Sequence, residues 1–122
     1  MKQFKINQAY IALTRLSEMK LPIKAAYGVY VLTKQLSTPY EFSLQQEKGL
    51  IEKYHGNIQK DGMISFQSSE DTNNFQKELI ELNNFEQEIE IKPVTINISD
   101  LNGQSIIPSD IISLEGFVNF VD

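Results

Sequence analysis

The chain has no cysteine. It therefore has no disulfide framework, no thiolate metal site and no cysteine nucleophile, and its stability must come from a packed core. That fits a reducing cytosol. A single histidine, His55, excludes a histidine-rich metal site and any histidine pair. It falls where a helix is expected to end, where a cation gains from the helix dipole, so it is expected to be a capping or solvated residue. No serine sits in a Gly-x-Ser-x-Gly elbow and no Gly-rich phosphate loop is present, which sets aside serine hydrolases and P-loop enzymes. Long apolar runs are also missing. The most apolar window, Ala25 to Leu32, is far shorter than a membrane span, and the start from Met1 to Gln8 lacks the apolar centre of a secretory signal. A soluble, unexported protein with no membrane partner is expected.

What is present belongs to a globular chain. With 122 residues, 41% hydrophobic and 22% charged, it suits one domain over residues 1–122. Its charge is unevenly placed. Residues 1–60 carry nine Lys or Arg against four Asp or Glu, whereas residues 61–122 carry two against twelve. Such a split implies a basic and an acidic surface, facing partners, other copies or each other.

Periodicity places the elements. Ile6, Tyr10, Leu13 and Leu16, with Ala9 and Ala12, recur at helical spacing and predict an amphipathic helix from Ile6 to Lys20. Pro22 suits the first turn of a second helix. Ala25 to Leu32 is apolar on nearly every side, so that helix is expected to be central and covered all round, with Gly28 either serving close helix contact or simply tolerated. Ser37-Thr38-Pro39 predicts a kink or restart, the stripe Leu36, Tyr40, Leu44, Ile51 and Tyr54 continuing beyond it. Gly56 is expected to supply left-handed geometry at the helix end. Asp61-Gly62 predicts a two-residue hairpin turn. Ser68, Ser69 or Asp71 can cap a further helix bearing Phe75, Leu79, Leu82 and Phe85. Ile89 to Ile98 alternates as an edge or bulged strand around Pro93. A last helix is expected from Pro108 or Ser109 through Ile111, Leu114, Phe117 or Val118, and Val121. The expected fold is α+β and helix-dominated: antiparallel or kinked N-terminal helices, a small hairpin or sheet, and a C-terminal helix.

Two charged clusters are candidate sites. Glu78, Glu81, Glu86, Glu88 and Glu90 form the candidate acidic contact face; paired carboxylates can also serve a metal-dependent hydrolase, but the spacing of these suits solvated helix and strand faces. Arg15, Lys20, Lys24 and Lys34 form the candidate basic contact face. Nucleic-acid binding is the alternative there, opposed by a net charge of −5, a single arginine, and tyrosines that lie on apolar stripes and are expected in the core. No catalytic residue, metal or cofactor is expected.

Several segments together resemble a family of small uncharacterised proteins encoded by tailed phages and prophages of low-GC Gram-positive bacteria. The resemblance is carried by Leu16 with Lys20 to Tyr27, by Leu50 to Gly56 before Asp61-Gly62, by Phe75 with Glu78, Leu79 and Leu82, by Glu86 to Ile91, and by Asp100-Leu101 with Leu114 to Phe117. Ser37-Thr38-Pro39 departs from the charged, uninterrupted helix of that family, which bears on the straightness of the second helix. What the resemblance implies is origin: a virion accessory, an assembly factor or a host-directed modulator, in the host cytoplasm or on the virion. All three work by protein contact. The expected function is thus a non-enzymatic protein-interaction module that binds a viral or host protein or itself.

Overall fold

The computed structural model describes residues 1–122. Helix α1, Gln3–Leu16, buries Ile6, Ala9, Ala12, Leu13 and Leu16 along one face, the stripe that the spacing predicts. It stops four residues before Lys20. Helix α2, Ile23–Lys53, follows with Pro22 as its N-cap. The end of α1 lies beside the start of α2, where Leu16, Ala26 and Val29 share one groove; the start of α1 lies beside the middle of α2, where Gln3 and Asn7 bond Pro39 and Ser43. The two helices thus run in opposite directions.

Pro39 lies inside α2, and the chain neither loops nor restarts there. Proline removes one ladder N–H, but Leu36 and Ser43 on either side are buried against α1. The Pro39 carbonyl accepts from Gln3 Nε2 at 2.9 Å. Tertiary packing therefore carries the helix across the residue that, taken locally, would interrupt it.

The end of α2 corrects another expectation. His55, with φ 57°, takes the left-handed position, and Gly56 donates its N–H to Ile51 O at 2.8 Å, closing a Schellman motif. Gly56 is needed for space instead. A Cβ there would meet Ile51, Ile64 and Phe66 at 3.0 Å each.

Strands β1, Asn57–Ile58, and β2, Ile64–Ser65, form the hairpin. Its connection is longer than a two-residue turn. Gln59 N–H donates to Met63 O at 2.7 Å, and only Gly62 has positive φ, so the link is a three-residue loop with a glycine bulge. Helix α3, Ser69–Asn83, is capped by Ser68, whose side chain accepts from Asp71 N–H at 3.1 Å.

The C-terminal third departs furthest from expectation. Of the alternating stretch Ile89 to Ile98, only Val94–Asn97 forms a strand, β3, and a 3-10 turn follows at Ile98–Leu101. Helix α4 is short, Pro108–Ser113, and Gly116 at φ 86° turns the chain into a strand, β4, Val118–Val121. The last apolar residues therefore alternate across a strand and do not stripe a helix. Strands β3 and β4 pair in parallel, Ile96 opposite Phe120.

Helices dominate this α+β fold. Twelve buried residues from α1, α2, β3, β4 and the α4 end make the main core, with Phe117, Ile6 and Leu13 fully enclosed. Gly28 faces β3 and not another helix: a Cβ would lie 2.8 Å from a Val94 methyl. No helix is long and apolar enough to cross a membrane.

Candidate interaction surface

Helix α2 packs on α1, α3 and β3, and these neighbours do not surround it. Val29, Leu32 and Leu36 face the core. Ile23 (88% exposed), Tyr27 (67%), Tyr30 (55%) and Val31 (43%) do not. At about 3.6 residues per turn, positions 23, 27, 30 and 31 fall within one arc on the side away from Val29, Leu32 and Leu36. The expectation that this segment is covered all round is wrong, and so is the placement of its tyrosines in the core. Uniform apolarity marks a helix that has something to bury; it does not say that this chain supplies the cover.

The stripe is bordered by cations. Lys20, Lys24 and Lys34 are exposed, and Lys34 Nζ stands 5.7 Å from the Tyr30 ring centre and 3.4 Å from its hydroxyl. Beside the stripe a groove of about 250 Å³ is lined by Leu16, Met19, Leu21, Ala26, Val29 and Thr33, with Tyr30 belonging to both. The Lys20 backbone at its end is held by two 2.8 Å bonds to the side-chain amide of Gln104. The result is an apolar, aromatic surface with a positive margin.

Arg15 stands apart from this group. Its guanidinium pairs with Asp110, whose side chain is 9% exposed, so it anchors α4 to α1 and leaves Lys20, Lys24 and Lys34 as the open part of the candidate basic face.

Two residues of the candidate acidic face are paired with cations. Glu78 accepts from Lys53 Nζ at 3.1 Å and from the Tyr54 hydroxyl, tying α3 to the end of α2. Glu86 takes the Met1 ammonium at 2.9 Å. Glu81, Glu88 and Glu90 are exposed, and Gln35 bonds only the Glu90 backbone carbonyl. Nowhere do three His, Asp or Glu side chains gather as metal ligands would. Each of the three ion pairs, Met1–Glu86, Arg15–Asp110 and Lys53–Glu78, joins the basic half to the acidic half. Part of the charge split is thus neutralised within the molecule.

The Glu78 triad has a pH signature. Hydrogen bonds from Tyr54 and then Lys53 lower the Glu78 pKa. The bond to Glu78 is the main cause that raises Tyr54, and likewise Lys53. A lowered acid stabilises the fold above its unfolded value and loses that contribution as pH falls through its folded value. The raised Lys53 and Tyr54 contribute below their unfolded values and lose this as pH rises past 10.5 and 10.0. Glu78→Gln is therefore expected to lower the melting midpoint at pH 7, and the gap from the parent should close well below pH 4.5. Thermal melts followed by circular dichroism from acid to neutral pH check this; a gap that is independent of pH contradicts it.

Compared with protein-family models, with curated proteins and with solved structures, the chain matches none.

Proposed function

We propose that the chain is a non-enzymatic protein-interaction module of the tailed-phage and prophage type, working in the host cytoplasm or on the virion. The observation that carries this reading is the exposed stripe Ile23, Tyr27, Tyr30 and Val31 with its lysine margin. Large apolar side chains held together at the surface mark contact sites, and tyrosine is among the residues enriched at protein interfaces, whose rims are polar. Origin rests on the resemblance of Lys20 to Tyr27 and its companion segments to the phage family.

Nucleic-acid binding is the second reading, because exposed Tyr27 and Tyr30 beside Lys24 and Lys34 resemble a stacking platform. Ile23 and Val31 in the same arc, and the apolar groove next to it, favour protein. Site-specific crosslinking separates the two. A photoreactive phenylalanine analogue at Tyr27, irradiated in expressing cells, is expected to give discrete protein adducts that Lys24→Glu abolishes. Gln45, exposed farther along α2, is the control position and should give none. Adducts to nucleic acid alone, or no adduct specific to position 27, overturn the protein-contact reading.

A further inference from the structure

The groove beside the α2 stripe has a shape and a charge that specify what fills it. Its α2 wall is built from Ala26, Val29, Tyr30 and Thr33, which follow one another at helical spacing, so the groove runs along the helix. Leu16, Met19 and Leu21 close the other side. Leu16 and Met19 also line a second groove, of about 120 Å³, which reaches Ile106 and Ile107. Stripe and grooves thus make one continuous apolar surface, on which the rings of Tyr27 and Tyr30 stand 6.3 Å apart.

An extended strand finds nothing to pair with there. The α2 backbone is bonded within its own helix, and both the N–H and the carbonyl of Lys20, in the link from α1, are taken by the Gln104 side chain. A flat lipid surface meets the crest at Ile23 and Tyr27 but does not fill a groove. A third helix does both: helices pack ridges into grooves of this kind, through apolar anchors at i, i+3, i+4 and i+7. From Ile23 to Lys34 the surface is about 16 Å long, or roughly three helical turns.

Charge sets the polar side of that helix. No acidic residue occurs between Glu18 and Glu41, whereas Lys20, Lys24 and Lys34 all lie in this stretch and are exposed. Two exposed acids come near: Glu18, next to Met19, and Glu90, whose carbonyl takes Gln35. Asp110 in the second groove is already paired with Arg15. The margin is therefore cationic, and carboxylates complement it. A second copy meeting this face through its own would set lysine against lysine, which opposes association.

We propose that the α2 stripe and its groove hold an acidic amphipathic helix of another protein, its apolar residues seated along Tyr27 and Tyr30 and its carboxylates facing Lys20, Lys24 and Lys34. This rests on the protein-contact reading above and names the chemistry of the partner.

Unbiased peptide selection tests it. A displayed library of peptides about four helical turns long, apolar at helical spacing and random elsewhere, is panned on the parent and counter-selected on Tyr27→Glu, an exposed position. Asp and Glu should be enriched, and Lys and Arg depleted, at the random positions of the peptides retained. The tightest of them, labelled for fluorescence anisotropy, should bind at least about tenfold more weakly to the Lys24→Glu, Lys34→Glu double variant, and more weakly to the parent at high salt. Lys48→Glu, exposed farther along α2 and beyond the reach of unscreened charge, is the control and should change affinity less than about twofold. Peptides without acidic bias, binding that survives the double variant, or no peptide that depends on Tyr27 would overturn the proposal. So would Tyr27-dependent sedimentation with phosphatidylglycerol vesicles, or a Tyr27-dependent dimer in sedimentation velocity, since lipid or a second copy would then cover the face. If any of these occurs while Tyr27 still gives adducts with another protein in cells, only the acidic-helix inference falls; with no protein adduct specific to Tyr27 the wider reading falls as well.

Discussion

Replacing Gln3 with leucine is expected to cost about 3 kcal/mol of folding stability. That loss would appear as a fall of roughly 10 °C in the melting midpoint. Gln3 has no exposed surface. Its Nε2 donates to Asn7 Oδ1 and to the Pro39 carbonyl, both at 2.9 Å. Its Oε1 accepts from Gln87 Nε2 at 2.8 Å, and Asn7 passes the chain on to the buried Ser43 hydroxyl at 2.9 Å. Leucine has nearly the same volume, so the loss does not come from a cavity. It comes from three polar groups left without their partner between α1, α2 and the segment after α3. Each such orphan costs about 1–3 kcal/mol when water cannot reach it, and Asn7 and Gln87 are only half-buried, which keeps the total near the lower end. Urea denaturation measures it; a loss below about 1 kcal/mol would mean that the network contributes little.

Gly28→Ala is expected to destabilise by about 2 kcal/mol, although alanine is the better helix former. The added methyl would lie 2.8 and 3.0 Å from the two Val94 methyls. Val94 has little room to move, since it is stiff at χ1 and pairs with the buried Val118 in the neighbouring strand. Overpacking of this kind outweighs the roughly 1 kcal/mol gained in helix propensity. Gly49 is the control: nothing lies within 4 Å of a Cβ there, so Gly49→Ala should gain about 1 kcal/mol. Adding Val94→Ala to Gly28→Ala should recover part of the loss. Equal stability of the two single alanine variants would show that the contact with β3 is slack.

Much of the local structure could be read from the chain. The α1 stripe, the cap at Ser68 and the hairpin around Gly62 all follow from periodicity or turn chemistry, which act over a few residues. Errors arose where a distant partner decides. Pro39 predicts a kink or restart, and no restart occurs: the helix runs on through it, packed on α1, with Gln3 bonding the Pro39 carbonyl from 36 residues upstream. The closing apolar residues fit a helix stripe or a strand alternation equally well until Gly116 and the pairing with β3 select the strand.

The candidate surface was half legible. Charge points to Lys20, Lys24 and Lys34, but the apolar pattern places Tyr27 and Tyr30 in the core, because apolarity shows what a residue prefers and not whether a neighbour arrives to cover it. The cation partners of two candidate acids were hidden for a related reason. Glu78 and Glu86 are near one another in sequence but pair with cations far apart along the chain, Lys53 and Met1, and only the fold supplies those partners.

Helix α2, about 46 Å long at 1.5 Å per residue, extends beyond the core that holds it. Its last buried residue is Ser43. From there to Lys53 it belongs to a smaller cluster in which Phe66 meets Phe75 at 4.9 Å between ring centres, Gly56 lies beneath the hairpin, and Glu78 clasps Tyr54 and Lys53. Only Phe75 is buried in that cluster. A region with so little enclosed apolar surface opens at a lower free energy than the rest. The distal turns of α2 and the hairpin can therefore unfasten while α1, β3 and β4 stay closed, which gives this small protein a breathing end and a rigid end on one helix.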